Sequence, residues 1–269
     1  LDVDENDFDL MYQHVSSLKC GESIDKPIYN HVNGTLDPCE KVVPTPVIVL
    51  EGLHPLVDCR IRDLIDFSIY LDIHDDIKTN WKIARDVEER GYDVDAVKRS
   101  IQVRKPDFDK FVDPQKFYAD LIIQVEPSEL DYSDDGCIKT RYIQQEGIKE
   151  PAYLFDEGSN IDWVPCGKKL SCSFPGIKLH SGTDNLMGNK VNVLEIDGKF
   201  DNIDEIVYIE NYLENIPTKY SGEVTNNMKK LKDSVGSYDG TGFFQTVAGL
   251  KIRELYEEKF DLKEPSFKG

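Results

Sequence analysis

Val47-Ile48-Val49-Leu50-Glu51-Gly52 decides how the chain is read. Four apolar residues follow the lead Pro44-Thr45-Pro46 and end on a carboxylate and a glycine. A short apolar run without alternation predicts a strand buried on both faces, as strands of parallel sheets are. An acid at the C-terminal end of such a strand stands at the sheet edge where α/β proteins bind ligands. There it can hold Mg²⁺ directly or through water, or it can simply cap the next turn. The run alone leaves both readings open.

Outward from that strand the pattern keeps alternating. Phe8, Leu10, Met11, Val15 and Leu18 recur at helical spacing, and Gly21 closes the helix. Lys26 to Gly34 reads as a loop ending in turn residues. Arg60 to Ile65 predicts a short helix and Phe67 to Leu71 a strand. Asp75 or Asp76 is placed to cap a helix that reaches Arg90 and stops at Gly91. A further helix, about Val94 to Arg104, is expected to end before Pro106, and Ala119 to Val125 predicts another strand. Strands alternating with helices predict an α/β fold whose largely parallel sheet is flanked by helices.

After Pro127 the style changes. Asp, Ser, Gly and Tyr become frequent, which predicts shorter, antiparallel strands and turns through Ile177. Val191 to Ile196 reads as a strand, and Val247, Leu250, Leu255 and Tyr256 give Phe243 to Phe260 a helical period. The expected organisation is therefore an α/β core over residues 1–128 and an antiparallel and helical extension over 129–269. No internal repeat or low-complexity tract interrupts it.

The 269 residues carry a net charge of −19 and 39% hydrophobic residues. That charge repels phosphate backbones and anionic lipid, so neither nucleic acid nor membrane is expected as a partner. No run of about 18 apolar residues is present either. A phosphorylated ligand would need a local basic exception, and the chain contains one. Lys82, Asp86 and Arg90 lie four residues apart, with Arg85 and Glu89 beside them, and Arg104-Lys105 adds two cations where the next helix ends. Such a stripe can be a solvated ladder worth about 0.3–0.5 kcal/mol per pair. It can equally set cations around one carboxylate to grip phosphate.

Tyr29, Asn30 and His31 offer a ring, an amide and an imidazole that suit either a sugar phosphate or an ordinary turn. His14, His31, His54, His74 and His180 show no metal-ligand spacing, though His54 could line the same sheet edge as Glu51. Cys166 and Cys172 flank Gly167, Lys168 and Lys169; they suit a disulfide, a reversible redox pair, or two unpaired thiols. Gly-x-x-x-x-Gly-Lys-Ser/Thr, the loop that cradles ATP phosphates, occurs nowhere in the 269 residues.

Taken in order, several stretches resemble the phosphoribulokinase family. They are Phe8-Asp9-Leu10-Met11-Tyr12, Lys26-Pro27-Ile28-Tyr29-Asn30-His31-Val32, Glu51-Gly52-Leu53-His54-Pro55, and Asp66-Phe67-Ser68-Ile69-Tyr70-Leu71-Asp72. Trp81-Lys82-Ile83-Ala84-Arg85-Asp86, Arg90-Gly91, Arg104-Lys105-Pro106-Asp107-Phe108-Asp109 and Asp113-Pro114-Gln115-Lys116 continue the series. Ser173 to Lys178 and Gly240 to Thr246 match the form found in oxygenic phototrophs.

The resemblance implies a P-loop NTPase-like kinase that moves the ATP γ-phosphoryl group to O1 of ribulose 5-phosphate in the Calvin cycle. It implies Glu51 and Asp86 as acids at the Mg²⁺–ATP centre, Lys82 and Arg85 as stabilisers of the transferring group, and Arg90, Arg104, Tyr29 and His31 near the sugar phosphate. Cys166 and Cys172 match a redox disulfide pair. A second copy, thioredoxin, glyceraldehyde-3-phosphate dehydrogenase and a small disordered linker protein are implied as partners, and the chloroplast stroma as location. The family's ATP loop and general base are expected upstream of Leu1, so the chain alone is expected to be inactive and marginally stable. Two rival readings remain at this stage: a uridine-kinase-like nucleoside kinase, and a non-catalytic redox-responsive interaction module.

Overall fold

The computed structural model describes residues 2–30, 33–130, 137–145, 161–162, 178–200, 203–206, 222–231 and 238–260. Its contacts divide the chain into two compact units. One comprises Leu1–Ser68 with Arg99–Ala119, and the other Ile69–Lys98 with Asp120–Gly269. The change of sequence style at 128/129 falls inside the second unit, between two strands that pair with each other.

In the first unit, α1 (Phe8–Lys19) begins where the Asp7 carboxylate accepts the Leu10 N–H at 2.9 Å. It ends at Gly21, whose φ of +83° allows the Gly21 N–H to reach Leu18 O and the Glu22 N–H to reach Ser17 O. Strands β1 (Ile24–Asn30) and β2 (Thr35–Val42) follow as an antiparallel hairpin. The expectation of a loop at 26–34 is thus corrected. Pro27 hides the strand because it cannot donate to the ladder, and the register shifts between Lys26 and Ile28 to absorb it.

The expected strand at Val47–Leu50 is also corrected. The segment is irregular chain outside any sheet, starting on a bend at Val47, and Val49 is 84% exposed. A strand buried on both faces needs a neighbour on each side, and among the described residues this run pairs with none. A short α2 (Cys59–Arg62) comes next, capped by Asp58.

The second unit holds a mixed sheet flanked by helices. Strands β3 (Ile69–Ile73), β4 (Leu121–Pro127), β5 (Ile138–Gln145), β6 (Ile161–Asp162), β7 (Lys178–Leu186) and β8 (Asn189–Asp197) lie in the order β3-β4-β5-β8-β7-β6. β3 and β4 are parallel, and antiparallel pairing takes over from β5 onward. This is a mixed α/β sheet flanked by helices, with an antiparallel, helical C-terminal part, as the sequence implies; among the described residues its parallel pairing is β3–β4, and the other four pairings are antiparallel. The parallel crossover is carried by α3 (Asp75–Glu88), which packs on β4, and by α4 (Val94–Asp107), whose residues divide between the units.

Several helix ends differ from expectation by a few residues, among them the ends of α2 and α3 and the start of the last helix, and two of the differences have a visible cause. His74 caps α3, its Nδ1 accepting the Asp76 N–H at 3.3 Å, in place of Asp75 or Asp76. α4 does not stop before Pro106 but runs through it to Asp107 and widens into a π turn, Phe108–Val112. That wider turn is where a helix lacking one N–H can continue.

On one face of the sheet α6 (Gly240–Lys259) seats Phe243 and Phe244 on β5 and β8, with α5 (Glu223–Lys230) alongside. The Tyr142 and Phe244 ring centroids are 5.2 Å apart. Contact is close enough that only glycine fits at 240, because a Cβ there would lie 2.8 Å from the Thr140 Cβ. The other face carries a polar row. Asp72, Gln124, Arg141, Glu195 and His180 stand opposite one another on successive strands. Gln124 donates to Asp72 at 3.2 Å, Arg141 donates to Gln124 at 2.8 Å, and the Arg141 Nε lies 3.3 Å from Glu195. Arg141 also pairs with Asp184. No helix among the described residues is long and apolar enough to cross a membrane.

Candidate functional site

The basic exception in the acidic chain is gathered on α3 and just beyond it. Helical spacing puts Lys82, Asp86 and Arg90 on one stripe, and the cap at His74 fixes where the helix begins. Lys82 Nζ donates to Asp86 Oδ2 at 2.9 Å, and Arg90 Nη1 donates to Oδ1 at 3.1 Å. Arg85 donates twice to Oδ1, from Nε at 3.0 Å and Nη2 at 2.9 Å. The Asp86 side chain is 5% exposed, whereas those of Lys82, Arg85 and Arg90 are 28%, 47% and 52% exposed. The carboxylate is therefore covered by three cations that remain open to solvent on their other side. Gly91, at φ +68°, turns the chain so that the Tyr92 N–H donates to the Asp86 carbonyl at 3.0 Å.

The charge balance follows from this geometry. The hydrogen bond from Lys82 holds the Asp86 carboxyl below its ordinary value; desolvation opposes this, and Arg85 adds to the lowering. Three cations against one carboxylate leave an excess of positive charge within this cluster, and among the described residues most of their N–H donors are uncommitted. Such a surface favours an anion with several acceptor oxygens, and a phosphate is the common one.

The first unit holds Glu51, Arg104 and Tyr29. Glu51 is exposed, at the start of the irregular segment 51–58. Arg104 is exposed on the last turn of α4, and Tyr29 is 55% exposed on β1. Lys82, Arg85, Asp86 and Arg90 belong to the second unit and are brought together by direct contact. His31, Cys166 and Cys172 lie outside the described residues.

One constellation next to Glu51 escapes the sequence. His54 is buried, its Nδ1 3.1 Å from the Asn6 amide nitrogen. Gln115 is 3% exposed and reaches the same segment: its Nε2 donates to Leu53 O at 2.7 Å and its Oε1 accepts the Leu56 N–H at 2.9 Å. Arg62 Nη1 donates to Leu56 O at 2.7 Å and Val57 O at 2.8 Å. No spacing rule links residues 6, 54, 62 and 115; the pointers are that His54 falls inside the stretch Glu51 to Pro55 and Gln115 inside the stretch Asp113 to Lys116.

A model of the phosphoribulokinase / uridine kinase family matches residues 1–131. The chain is 55% identical over 262 residues to the chloroplastic phosphoribulokinase of Spinacia oleracea, covering 96% of the chain and 65% of that protein. It is 54% identical over 261 residues to the phosphoribulokinase of Synechocystis sp., covering 79% of that protein. A uridine kinase of Escherichia fergusonii is 42% identical over 119 residues, only 44% of the chain. The chain thus spans about 65% of the length of the plant relatives it matches.

Proposed function

The chain belongs to the phosphoribulokinase / uridine kinase family of P-loop kinases, and from that premise we propose that it serves the ATP-dependent phosphorylation of ribulose 5-phosphate. The observation that carries the reading is the buried Asp86 carboxylate under Lys82, Arg85 and Arg90. In the reaction the O1 hydroxyl of the sugar attacks the γ-phosphorus of ATP and loses its proton. The bond to the β–γ bridging oxygen breaks, giving ribulose 1,5-bisphosphate and ADP. The transition state spreads negative charge over the transferring oxygens, and catalysis is mostly positioning and charge stabilisation. Lys82 and Arg85 supply that charge, and Asp86 keeps both side chains extended toward one point. Arg90, Arg104, Tyr29 and His31 bind the sugar phosphate in this reading.

Mg²⁺ supplies charge neutralisation on the phosphates when bound. The residues fit unequally. Glu51 is an exposed hard oxygen donor and would hold a largely hydrated ion. The Asp86 oxygens already serve three protein cations, so Asp86 would join only in exchange for one of them.

Ribulose 5-phosphate is favoured over uridine because the phosphoribulokinases match 96% of the chain, well past the part shared with uridine kinase. The kinase core is assigned to 1–128, and a regulatory region with a Cys166–Cys172 redox disulfide to 129–269. Thioredoxin, glyceraldehyde-3-phosphate dehydrogenase, a small disordered linker protein and a second copy are the proposed partners, in the chloroplast stroma; several relatives are named chloroplastic.

The test replaces the matching 262 residues of the spinach phosphoribulokinase with this chain. The graft is expected to form ribulose 1,5-bisphosphate from ATP and ribulose 5-phosphate and to leave uridine untouched. Residues 1–269 alone, which contain no Gly-x-x-x-x-Gly-Lys-Ser/Thr loop, are expected to form none. A folded graft that phosphorylates uridine, or neither acceptor, refutes the reading.

A further inference from the structure

Val47 to Glu51 and Gly52 to Val57 are adjacent in sequence and opposite in character. The first run is exposed and outside any sheet. The second is irregular too, yet the side chains of Gln115 and Arg62 hold four of its backbone polar groups. Leu53 O and the Leu56 N–H go to Gln115, Leu56 O and Val57 O go to Arg62, and the Val57 N–H closes on His54 O at 3.3 Å. Arg62 is itself fixed, its guanidinium stacked 3.9 Å over the Tyr118 ring.

Gln115 is the centre of this grip. A primary amide has one acceptor oxygen and two N–H donors. Here Oε1 takes the Leu56 N–H, while Nε2 serves Leu53 O and also Phe111 O at 2.9 Å. The amide is buried and satisfied at both ends, and one end is anchored on its own preceding turn. An amide can hold a carbonyl and an N–H three residues apart because it carries donor and acceptor side by side. A carboxylate lacks the donors, and a thioether lacks donors and strong acceptor alike.

We propose that Gln115 is a positioning residue for Glu51: by clasping Leu53 and Leu56 it fixes where the chain emerges two residues after the acid, and so where the Glu51 carboxylate can meet Mg²⁺. This rests on the proposed function for its catalytic consequence, whereas the clasp itself can be read without any reaction. Outer-shell partners of this kind change metal affinity or activity by about 10- to 100-fold when removed.

Gln115→Met keeps the side chain's length and removes its hydrogen bonds. Hydrogen exchange on the wild-type chain and on the variant reads the clasp directly. Protection of the Leu56 amide is expected to fall about tenfold or more in the variant, while the α1 amides from Met11 to Val15 keep theirs. In the spinach graft, the Mg²⁺ concentration giving half-maximal rate is expected to rise about 10- to 100-fold, with KM for ribulose 5-phosphate within about twofold. Unchanged Leu56 protection overturns the proposal, as does a uniform loss of rate at unchanged Mg²⁺ dependence. If Gln115→Met does not fold, the wild-type chain decides: a Leu56 amide exchanging as fast as an unstructured peptide overturns the clasp. An inactive wild-type graft with a protected Leu56 amide refutes the proposed function and leaves the clasp standing.

Discussion

At the scale of single residues, Asp86 is the side chain on which the others depend. Replacing it with Asn preserves shape but removes the charge that gathers Lys82, Arg85 and Arg90. In the graft, Asp86→Asn is expected to lower kcat/KM by about 10²- to 10³-fold, the usual effect of losing a preorganised charge contact. Its pH dependence has a definite sign. The folded carboxyl titrates below its ordinary value of 3.8, so its contribution to stability is complete above that value. It disappears as pH falls through the lowered one. The melting-temperature difference between wild type and Asp86→Asn should therefore be constant from about pH 5 to 8 and shrink only below about pH 4. A difference that shrinks near pH 6 would contradict this. Much of this cluster was legible beforehand, because helical spacing alone puts residues 82, 86 and 90 on one stripe. The burial of Asp86 was not, since spacing says nothing about which partner of an ion pair faces inward. Gln115 and His54 left no trace in any periodicity: their partners are backbone groups and an amide brought near by the fold.

At the scale of elements, α1, α3 and the last helix follow from apolar spacing and end signals, with the cap of α3 displaced by one residue, its end two residues short of Arg90, and the last helix starting three residues early at Gly240. The two misread segments have opposite causes. Val47–Leu50 has the composition of a central strand but no neighbour among the described residues, and backbone without a ladder is not a strand. β1 has a neighbour and a proline, and the register shift at Lys26/Ile28 lets the ladder pass it. Tertiary context decided both. The docking of α6 offers a test of its own. Adding one methyl with Gly240→Ala places a Cβ 2.8 Å from Thr140 and 3.1 Å from Ile196, which should destabilise the chain by about 1–3 kcal/mol as overpacking does. Chemical denaturation would show it as a lower midpoint at unchanged slope. An unaltered midpoint would mean that the helix shifts freely.

At the scale of the whole molecule, a net charge of −19 accompanies a cluster of opposite sign. A phosphorylated sugar approaching from afar meets repulsion before attraction. Salt screens the distant charges first, since the Debye length is about 10 Å at 0.1 M. In the graft, KM for ribulose 5-phosphate is thus expected to stay level or fall between about 10 and 100 mM salt and to rise only beyond that. A steady rise from the lowest salt would show that the local cations dominate at all distances. The α/β class and the antiparallel pairing after Pro127 were both readable from alternation and composition, because they are properties of long stretches; the shorter strands expected there were not, since β5 has eight residues against five in β3.

The polar row Asp72, Gln124, Arg141, Glu195 and His180 crosses five strands. Sliding β5 or β8 by a single residue would turn Arg141 or Glu195 to the opposite face, the one covered there by the helix of Phe243 and Phe244. A guanidinium among phenyl rings is far costlier than a misplaced valine, so wrong alignments are rejected by charge before packing has to discriminate among similar aliphatic side chains. The row acts as a proofreading device for strand alignment, written once across the sheet.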